Sequence, residues 1–385
     1  MTGPLRGVRV LELAGLGPAP FCGMMLADMG ATVLRLDRPG RPNPGNPLDP
    51  KLDLMNRGRQ SVAVDLKSSE GVGLVLRLVE RADVLFEGFR PGVVERLGLG
   101  PDECLARNPR LVYGRMTGFG QSGALARRAG HDINYIALSG ALDAIGPADG
   151  DPVPPLNVVG DFGGGGMYLA FGIVCALLER GHSGRGQVVD AAIVDGASSM
   201  MTMFHALRAQ GIGSGHRGTN LLDGGAHFYG VYACADGRHV SVGAIEPQFY
   251  RELLRGLDLA EDEDLLRGHG DPAAWPGLRA RLAAVFSTRT RDEWAAHFDG
   301  TDACVVPVLA LEEVGTHPHN ADRGAMEVLA GVAQPAPAPR FSRTAATLST
   351  PPPVPGQHTS AALSDWGLGP EEIDALTRAG VVVQA

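Results

Sequence analysis

The sequence predicts an α/β fold, a parallel sheet covered by helices with a smaller α+β unit after it, and three observations predict it. Residues 8 to 117 alternate short apolar strands with helical stretches. Successive strands run out into a basic residue and a turn. Beyond a glycine-rich crossing at 211–226 the pattern changes to a β-hairpin and a run of helices. The 385 residues, 44% hydrophobic and 20% charged, suit a globular chain large enough for two domains.

Val8–Leu13 reads as a strand, residues 14–20 as a turn, Phe21–Met29 as a helix and Ala31–Leu36 as a second strand ending in Asp37-Arg38-Pro39. This is the βαβ rhythm of a parallel sheet. Such sheets place ligands beyond the carboxyl ends of their strands. Gly15-Leu16-Gly17-Pro18 is too short for the dinucleotide fingerprint. A Pro-, Gly- and Asn-rich loop (39–50) leads to the strand Ser61–Lys67, a helix over Ser69–Arg81 and a strand that leaves through Glu87-Gly88-Phe89-Arg90. Leu111–Gln121 repeats the theme. Arg38, Lys67, Arg90 and Arg115 thus sit at or near strand exits, with Arg57 and Arg96 close by. Any one of them reads as a solvated surface cation. Four at one rim of an acidic protein favour a small polyanionic ligand, whose phosphates match arginine forks.

Residues 130–167 hold the chemistry. His131 and Asp161 each precede what reads as a helix start, and Asp161 comes before Gly163–Gly166 and the apolar run Met167–Leu178. It stands where an N-cap is expected, beside backbone N–H groups able to meet a developing negative charge. An Asp before a glycine run is more often a structural cap. The pairing with His131 favours acid–base chemistry.

A helix to Arg180, a strand at 186–190 and a helix from Asp195 past Met203 follow, with Met200, Met201 and Met203 read as helix packing. In the second unit Phe228–Cys234 and His239–Ala244 form a hairpin. It ends in Ile245-Glu246-Pro247, a carboxylate presented just before a proline-initiated helix. Helices are expected over Gln248–Leu257, Trp275–Thr288 and Arg291–Phe298, and a buried strand over Asp302–Leu309. From Gly331 a Pro- and Ala-rich tract reads as an extended return, with a last helix over Gly369–Ala379.

Net charge −9 and a pI near 5.7 argue against nucleic-acid partners. No apolar run reaches the roughly eighteen residues needed to span a bilayer, so no membrane partner is expected. The N-terminus lacks a signal peptide's apolar core, and Val381–Ala385 is no peroxisomal address. Five cysteines are odd in number and scattered, which disfavours disulfides and a metal site and fits the cytoplasm.

At Gly130–Tyr135 together with Gly160–Met167 the chain resembles the α-methylacyl-CoA racemases of the family III CoA-transferase superfamily, in particular their bacterial, mycobacterial type. The likeness extends through Leu36–Pro39, Asn56-Arg57, Val64–Lys67, Glu87–Val93, Arg115–Gln121, Val188–Ala192, Val242–Tyr250, Asp302–Leu309 and Pro355–Thr359, essentially the full length. The resemblance implies a Rossmann-like large domain built from 1–210 and the return segment 331–385, joined by a linker (211–226) to a small domain (227–330). It also implies an interlocked homodimer, with each site formed by the large domain of one copy and the small domain of the other. The substrate it implies is a 2-methylacyl-CoA thioester, with CoA part of the substrate and no separate cofactor or metal. CoA contacts carried over by position are Arg38, Val64, Asp65, Leu66, Lys67, Gly88, Phe89, Arg90, Arg96, Gly130, His131, Asp132, Ile133, Asn134 and Tyr135.

By the same resemblance His131 and Asp161 are the two acid–base groups on opposite faces of the α-carbon. Glu246 contacts His131, Asn157 hydrogen-bonds the Asp161 carboxylate, and the Asp161 N–H holds the enolate oxygen. The rival within the superfamily is a CoA-transferase, in which an Asp at this position attacks the thioester and forms an acyl-enzyme anhydride. A base facing that carboxylate distinguishes the racemase. A third reading, a non-catalytic acyl-CoA-binding protein, expects a broken set, whereas His131, Asp161 and Glu246 are all present.

Overall fold

The computed structural model describes residues 2–40, 48–213 and 215–385. Residues 41–47 of the expected loop at 39–50, and Ser214 of the crossing at 211–226, lie outside the described residues. The elements begin with β1 (Arg9–Leu13), α1 (Pro18–Asp28), β2 (Thr32–Asp37), β3 (Arg59–Val64), α2 (Ser69–Val79) and β4 (Val84–Glu87). Next come α3 (Val93–Arg96), α4 (Pro101–Arg107), β5 (Val112–Thr117) and α5 (Asp132–Leu138). A π-helical stretch (Val158–Met167) runs directly into α6 (Tyr168–Ser183), and β6 (Val188–Ala192) and α7 (Ile193–Met200) follow. Then come α8 (Thr202–Ala209), β7 (Tyr229–Ala233), β8 (His239–Gly243), α9 (Pro247–Gly256), α10 (Glu263–Gly268), α11 (Trp275–Phe286), α12 (Arg291–Phe298) and β9 (Val305–Pro307). The chain closes with α13 (Pro318–Asp322), β10 (Met326–Leu329), β11 (Val332–Pro335), α14 (Thr359–Asp365), α15 (Pro370–Arg378) and β12 (Val382–Val383).

Two compact units result: residues 1–139, 156–200 and 319–385, and residues 140–155 with 201–318. The first carries a seven-stranded sheet in the order β12-β3-β2-β1-β4-β5-β6, parallel except for β12. Strands β1 to β5 are almost wholly buried, as a sheet covered on both sides requires. Leu11, Leu34, Val62 and Leu85 pack under α2, α14 and Trp366, while Val10, Val33, Val84 and Phe86 meet α1 and α6. The C-terminal tail therefore completes this unit. Its α14 and α15 cover one face and β12 pairs antiparallel with β3.

Four expectations change. Asp161 does not cap a helix: it lies within the π-helical stretch, with Asn157 at the preceding cap position. The glycines there serve close approach of other backbone. A Cβ at Gly164 would lie 2.7 Å from the Ala197 nitrogen, one at Gly166 2.7 Å from the Pro18 oxygen, and one at Gly196 1.9 Å from the Gly164 oxygen. Secondly, this stretch and α6 form one helix from Val158 to Ser183, long and apolar enough by length and composition to cross a membrane. The expectation that no such run exists is thereby corrected. Its Leu169, Ala170 and Ile173 are buried against the sheet. Thirdly, the tract after Gly331 begins as a packed hairpin, β10 with β11, and buries Gln334. Fourthly, the strand expected over Asp302–Leu309 shortens to β9 at an edge, with Val306 and Val308 exposed.

Gln334 is buried because Arg57 needs it. The Arg57 guanidinium donates to Asp28 through Nη2 (2.6 Å to Oδ2) and Nε (3.1 Å to Oδ1), and through Nη1 to Gln334 Oε1 at 3.0 Å. Arg57 is thus a structural arginine and leaves the basic rim. Arg57→Ala should lower unfolding free energy by about 3–5 kcal/mol, because Asp28 stays buried with an unpaired charge. Denaturant titration at neutral pH checks this. The loss should shrink in acid, since burial already raises the Asp28 carboxyl and Arg57 is what opposes that rise.

The second unit holds the antiparallel sheet β7-β8-β9. Phe228, Tyr232, Val240 and Val242 pack on α9, α11 and α12 through Tyr250, Leu253, Leu282, Phe286 and Trp294. Glu246 occupies the N-cap position of α9, exposed, with no side-chain cap hydrogen bond.

Candidate active site

In the first unit, β1 is followed by α1 on one face of the sheet and β4 by residues that pack on the other. A crevice opens where the connections part, beyond the carboxyl ends of β1, β4 and β5. It has a volume of ≈ 710 Å³ and is lined by Ala14–Pro18, Gly88–Pro91, Met116–Phe119, Arg128–His131, Tyr135, Asp161 and Ile193. His131 and Asp161 therefore face one cleft.

His131 reaches it from the N-cap of α5. Its N–H donates to Asn134 Oδ1 at 3.0 Å, and the Asn134 N–H returns to the His131 carbonyl at 2.8 Å. The Tyr135 hydroxyl donates to the Gly130 carbonyl, and its ring stands edge-on to Phe119 at 4.8 Å. The backbone that carries the imidazole is thus held from three sides, while the His131 side chain remains exposed.

Asp161 reaches it from the π-helical stretch, entered through Leu156 in a left-handed conformation (φ 56°). Asn157 Nδ2 donates to Asp161 Oδ2 at 3.3 Å, as expected for that residue. Burial pushes the Asp161 carboxyl above the usual carboxylate range; Asn157 opposes, Asp132 adds to the rise and His131 counters it. The Asp161 N–H has a partner within the chain. It donates to Asp132 Oδ1 at 2.7 Å.

Of the residues with expected CoA roles, the cleft gathers Gly88, Phe89, Arg90, Gly130, His131 and Tyr135. Arg38, Val64, Asp65, Leu66, Lys67, Arg96, Asp132, Ile133, Asn134 and Asn157 are not part of its lining. Arg38 follows β2, Val64 to Lys67 leave β3, and Arg96 ends α3. Arg38, Lys67, Arg90 and Arg96 form no ion pair among the described residues, so their heads are free for an anion. Arg115 is the exception to the basic rim: it pairs with buried Glu87 (3.3 Å) and with Glu95 (2.7 Å). Glu87, raised to about 7 by burial, also accepts the Phe89 N–H at 2.6 Å and so shapes the β4 exit.

Arg128 and the loop Ala14–Pro18 were missed as lining residues. The loop had a signal, since the turn after a first strand commonly borders the ligand at a sheet's switch point. A Cβ at Gly17 would lie 3.3 Å from Asp161 Oδ2. Among the described residues no group of three or more His, Cys, Asp or Glu side chains is arranged to hold a metal ion.

An imidazole and a buried carboxylate facing one cleft, with unpaired arginines at the strand exits, suit proton transfer on an anionic ligand. The family model described as CoA-transferase family III matches residues 5–359. The chain is 49% identical over 372 residues to the mouse alpha-methylacyl-CoA racemase, covering 96% of this chain and 95% of that one. To the human alpha-methylacyl-CoA racemase it is 46% identical over 373 residues, covering 96% and 95%. Among solved structures, a CAIB/BAIF family protein from Brucella suis superimposes with a TM-score of 0.82 at 27% identity, covering 95% of this chain and all of that one.

Proposed function

The chain belongs to CoA-transferase family III, and on that premise we propose that it interconverts the (2R) and (2S) epimers of 2-methylacyl-CoA thioesters. It is an isomerase of the α-methylacyl-CoA racemase kind. The observation that carries this reading is the meeting of His131 and Asp161 in one cleft, on a chain nearly half identical along its length to two racemases.

The mechanism follows from what the reaction requires. The C2 proton of a thioester is weakly acidic, and its removal places negative charge on the thioester oxygen. One group takes the proton from one face and the other returns a proton to the opposite face, which inverts C2. With Asp161 as base, His131 is the acid; in the reverse direction the roles exchange. Burial keeps the Asp161 carboxyl above its ordinary value and so nearer the affinity an exchanging base needs. The thioester itself delocalises the charge, so the proposed step calls for no electron-sink cofactor. In an interlocked homodimer, Glu246, uncommitted at the start of α9, is the carboxylate that orients His131.

The transferase reading uses Asp161 alone and gives His131 no part. One experiment separates the two. A single epimer of a 2-methylacyl-CoA is incubated with the protein in D₂O without a carboxylic acid acceptor. Deuterium entering C2 with epimerisation is expected. No exchange, with CoA moving to an added carboxylate, would make Asp161 a nucleophile instead. For the CoA end, Arg38→Ala should raise KM with little change in kcat, a loss of about tenfold in kcat/KM if one charge-assisted phosphate contact goes. An unchanged KM in steady-state assays argues against Arg38 as a phosphate ligand.

A further inference from the structure

We propose that Asp132 is a positioning residue, a buried anchor that fixes Asp161 against His131, and that its carboxylate is not a contact for CoA. The inference rests on the racemase reading. His131 is the N-cap of α5 and Asp132 is its first residue. Asp132 is 8% exposed and is not part of the cleft lining, and its Oδ1 accepts the Asp161 N–H at 2.7 Å. One dipeptide therefore carries the imidazole on one residue and the tether of the opposing carboxylate on the next. Movement of α5 relative to the π-helical stretch must stretch that bond.

Gly160 makes the tether possible. A Cβ there would lie 2.1 Å from Asp132 Oδ1 and 3.0 Å from Ile136 Cγ2, so only glycine lets the carboxylate reach the next N–H. The stretch is a π-helix, whose wider turn leaves early N–H groups without intrahelical partners. Asp132 satisfies one of them at the residue that bears the acid–base group. Without it a part-buried N–H loses its partner, and the Asp161 carboxylate loses its registration with the substrate carbon.

Asp132 also acts through its charge. The groups that face Asp161 are Asp132 and His131 from α5, Asn157 from its own segment, and the Tyr135 phenol. Asp132 is the negative one among them and disfavours ionisation of Asp161. The tether and the charge separate experimentally, because Asp132→Asn keeps an acceptor oxygen and removes the charge, whereas Asp132→Ala removes both.

The test assays wild type, Asp132→Ala and Asp132→Asn with a single 2-methylacyl-CoA epimer in D₂O. Asp132→Ala should lower kcat for epimerisation on the order of 10²-fold, the scale of a misplaced catalytic group. KM should stay within about twofold. The epimer whose C2–H faces His131 should still take up deuterium with retention: His131 removes the proton, exchanges it with solvent and returns a deuteron to the same face. Asp132→Asn should recover most of kcat. In the direction where Asp161 is the base, the acidic limb of kcat/KM should move to lower pH. A raised KM with unchanged kcat in both variants would make Asp132 a substrate contact and overturn the proposal, as would wild-type kcat in Asp132→Ala. If the wild-type protein exchanges no C2 proton, it is the racemase reading that fails. Amide hydrogen exchange over 158–167 then decides the anchor by itself: faster in Asp132→Ala and unchanged in Asp132→Asn supports it, and no change in either refutes it.

Discussion

Replacing His131 by Ala is expected to cut epimerisation by about 10²- to 10⁴-fold, the contribution of a positioned general acid–base group. The imidazole is exposed in the cleft and is not engaged in holding its own segment. That work falls to its backbone, through Asn134, and to Tyr135 on Gly130. The variant should therefore fold and keep its affinity for the thioester, because the arginines at the strand exits are untouched. The loss should also be lopsided. Asp161 can still remove a proton from its own face and return one there, so one epimer should exchange deuterium for hydrogen without inverting. The other, whose proton faces position 131, should be inert. Loss of exchange from both epimers together would mean that His131 serves the fold or the enolate rather than one face of the carbon. Full activity would remove it from the mechanism.

That asymmetry depends on a pairing that could be proposed from sequence although its geometry could not. His131 and Asp161 stand out in sequence because each precedes what reads as a helix start, and the structure brings both to one cleft. The strands of the parallel sheet were legible for a local reason too, short apolar runs ending at Arg38, Lys67 and Arg90. What failed was everything decided by a distant partner. Arg57 and Arg115 look like Arg90 in sequence, yet Asp28 with Gln334 claims the first and Glu87 with Glu95 the second. Gly163–Gly166 reads in sequence as a place where another backbone or a ligand can come close. The approaching backbone is that of Ala197 and Pro18, partners that only the fold reveals. The N-cap moves from Asp161 to Asn157 because the helix begins earlier, as a π-helical stretch, than the glycine run suggests. Asp132 was grouped with its neighbours as a CoA contact, and nothing local marks it as the partner of an N–H in another segment. The brevity of β9 has the same origin, since apolar Val305 to Leu309 shows nothing of an edge position.

Asp161→Asn should be as damaging as the loss of His131, and its by-products are more informative. The amide is nearly isosteric and can keep its contact with Asn157, but it neither accepts the C2 proton nor attacks a thioester. Epimerisation should fall by about 10²- to 10⁴-fold. Exchange with retention should survive at the face served by His131, an outcome with no counterpart if Asp161 is a nucleophile. The pH dependence of the wild-type protein fixes the sign of the carboxyl's role. With Asp161 as base, kcat/KM should rise as pH passes its pKa, and that limb should lie above the ordinary carboxylate range because burial raises it. In the opposite direction Asp161 must start protonated, so the same ionisation should end activity as pH rises. Stability should respond with the opposite balance. A carboxyl whose folded pKa is raised binds more protons in the native state, so its contribution to stability is present below its unfolded pKa and falls as pH climbs through the folded one. Asp161→Asn carries no charge and escapes that loss. It should unfold at equal or higher denaturant concentration than wild type at neutral pH, with the advantage fading in acid. A variant less stable than wild type at neutral pH would show that its ionised carboxylate is a favourable part of the fold. An inactive variant with a neutral-pH gain would mean that the charge at position 161 is kept at a cost to stability for the proton it moves.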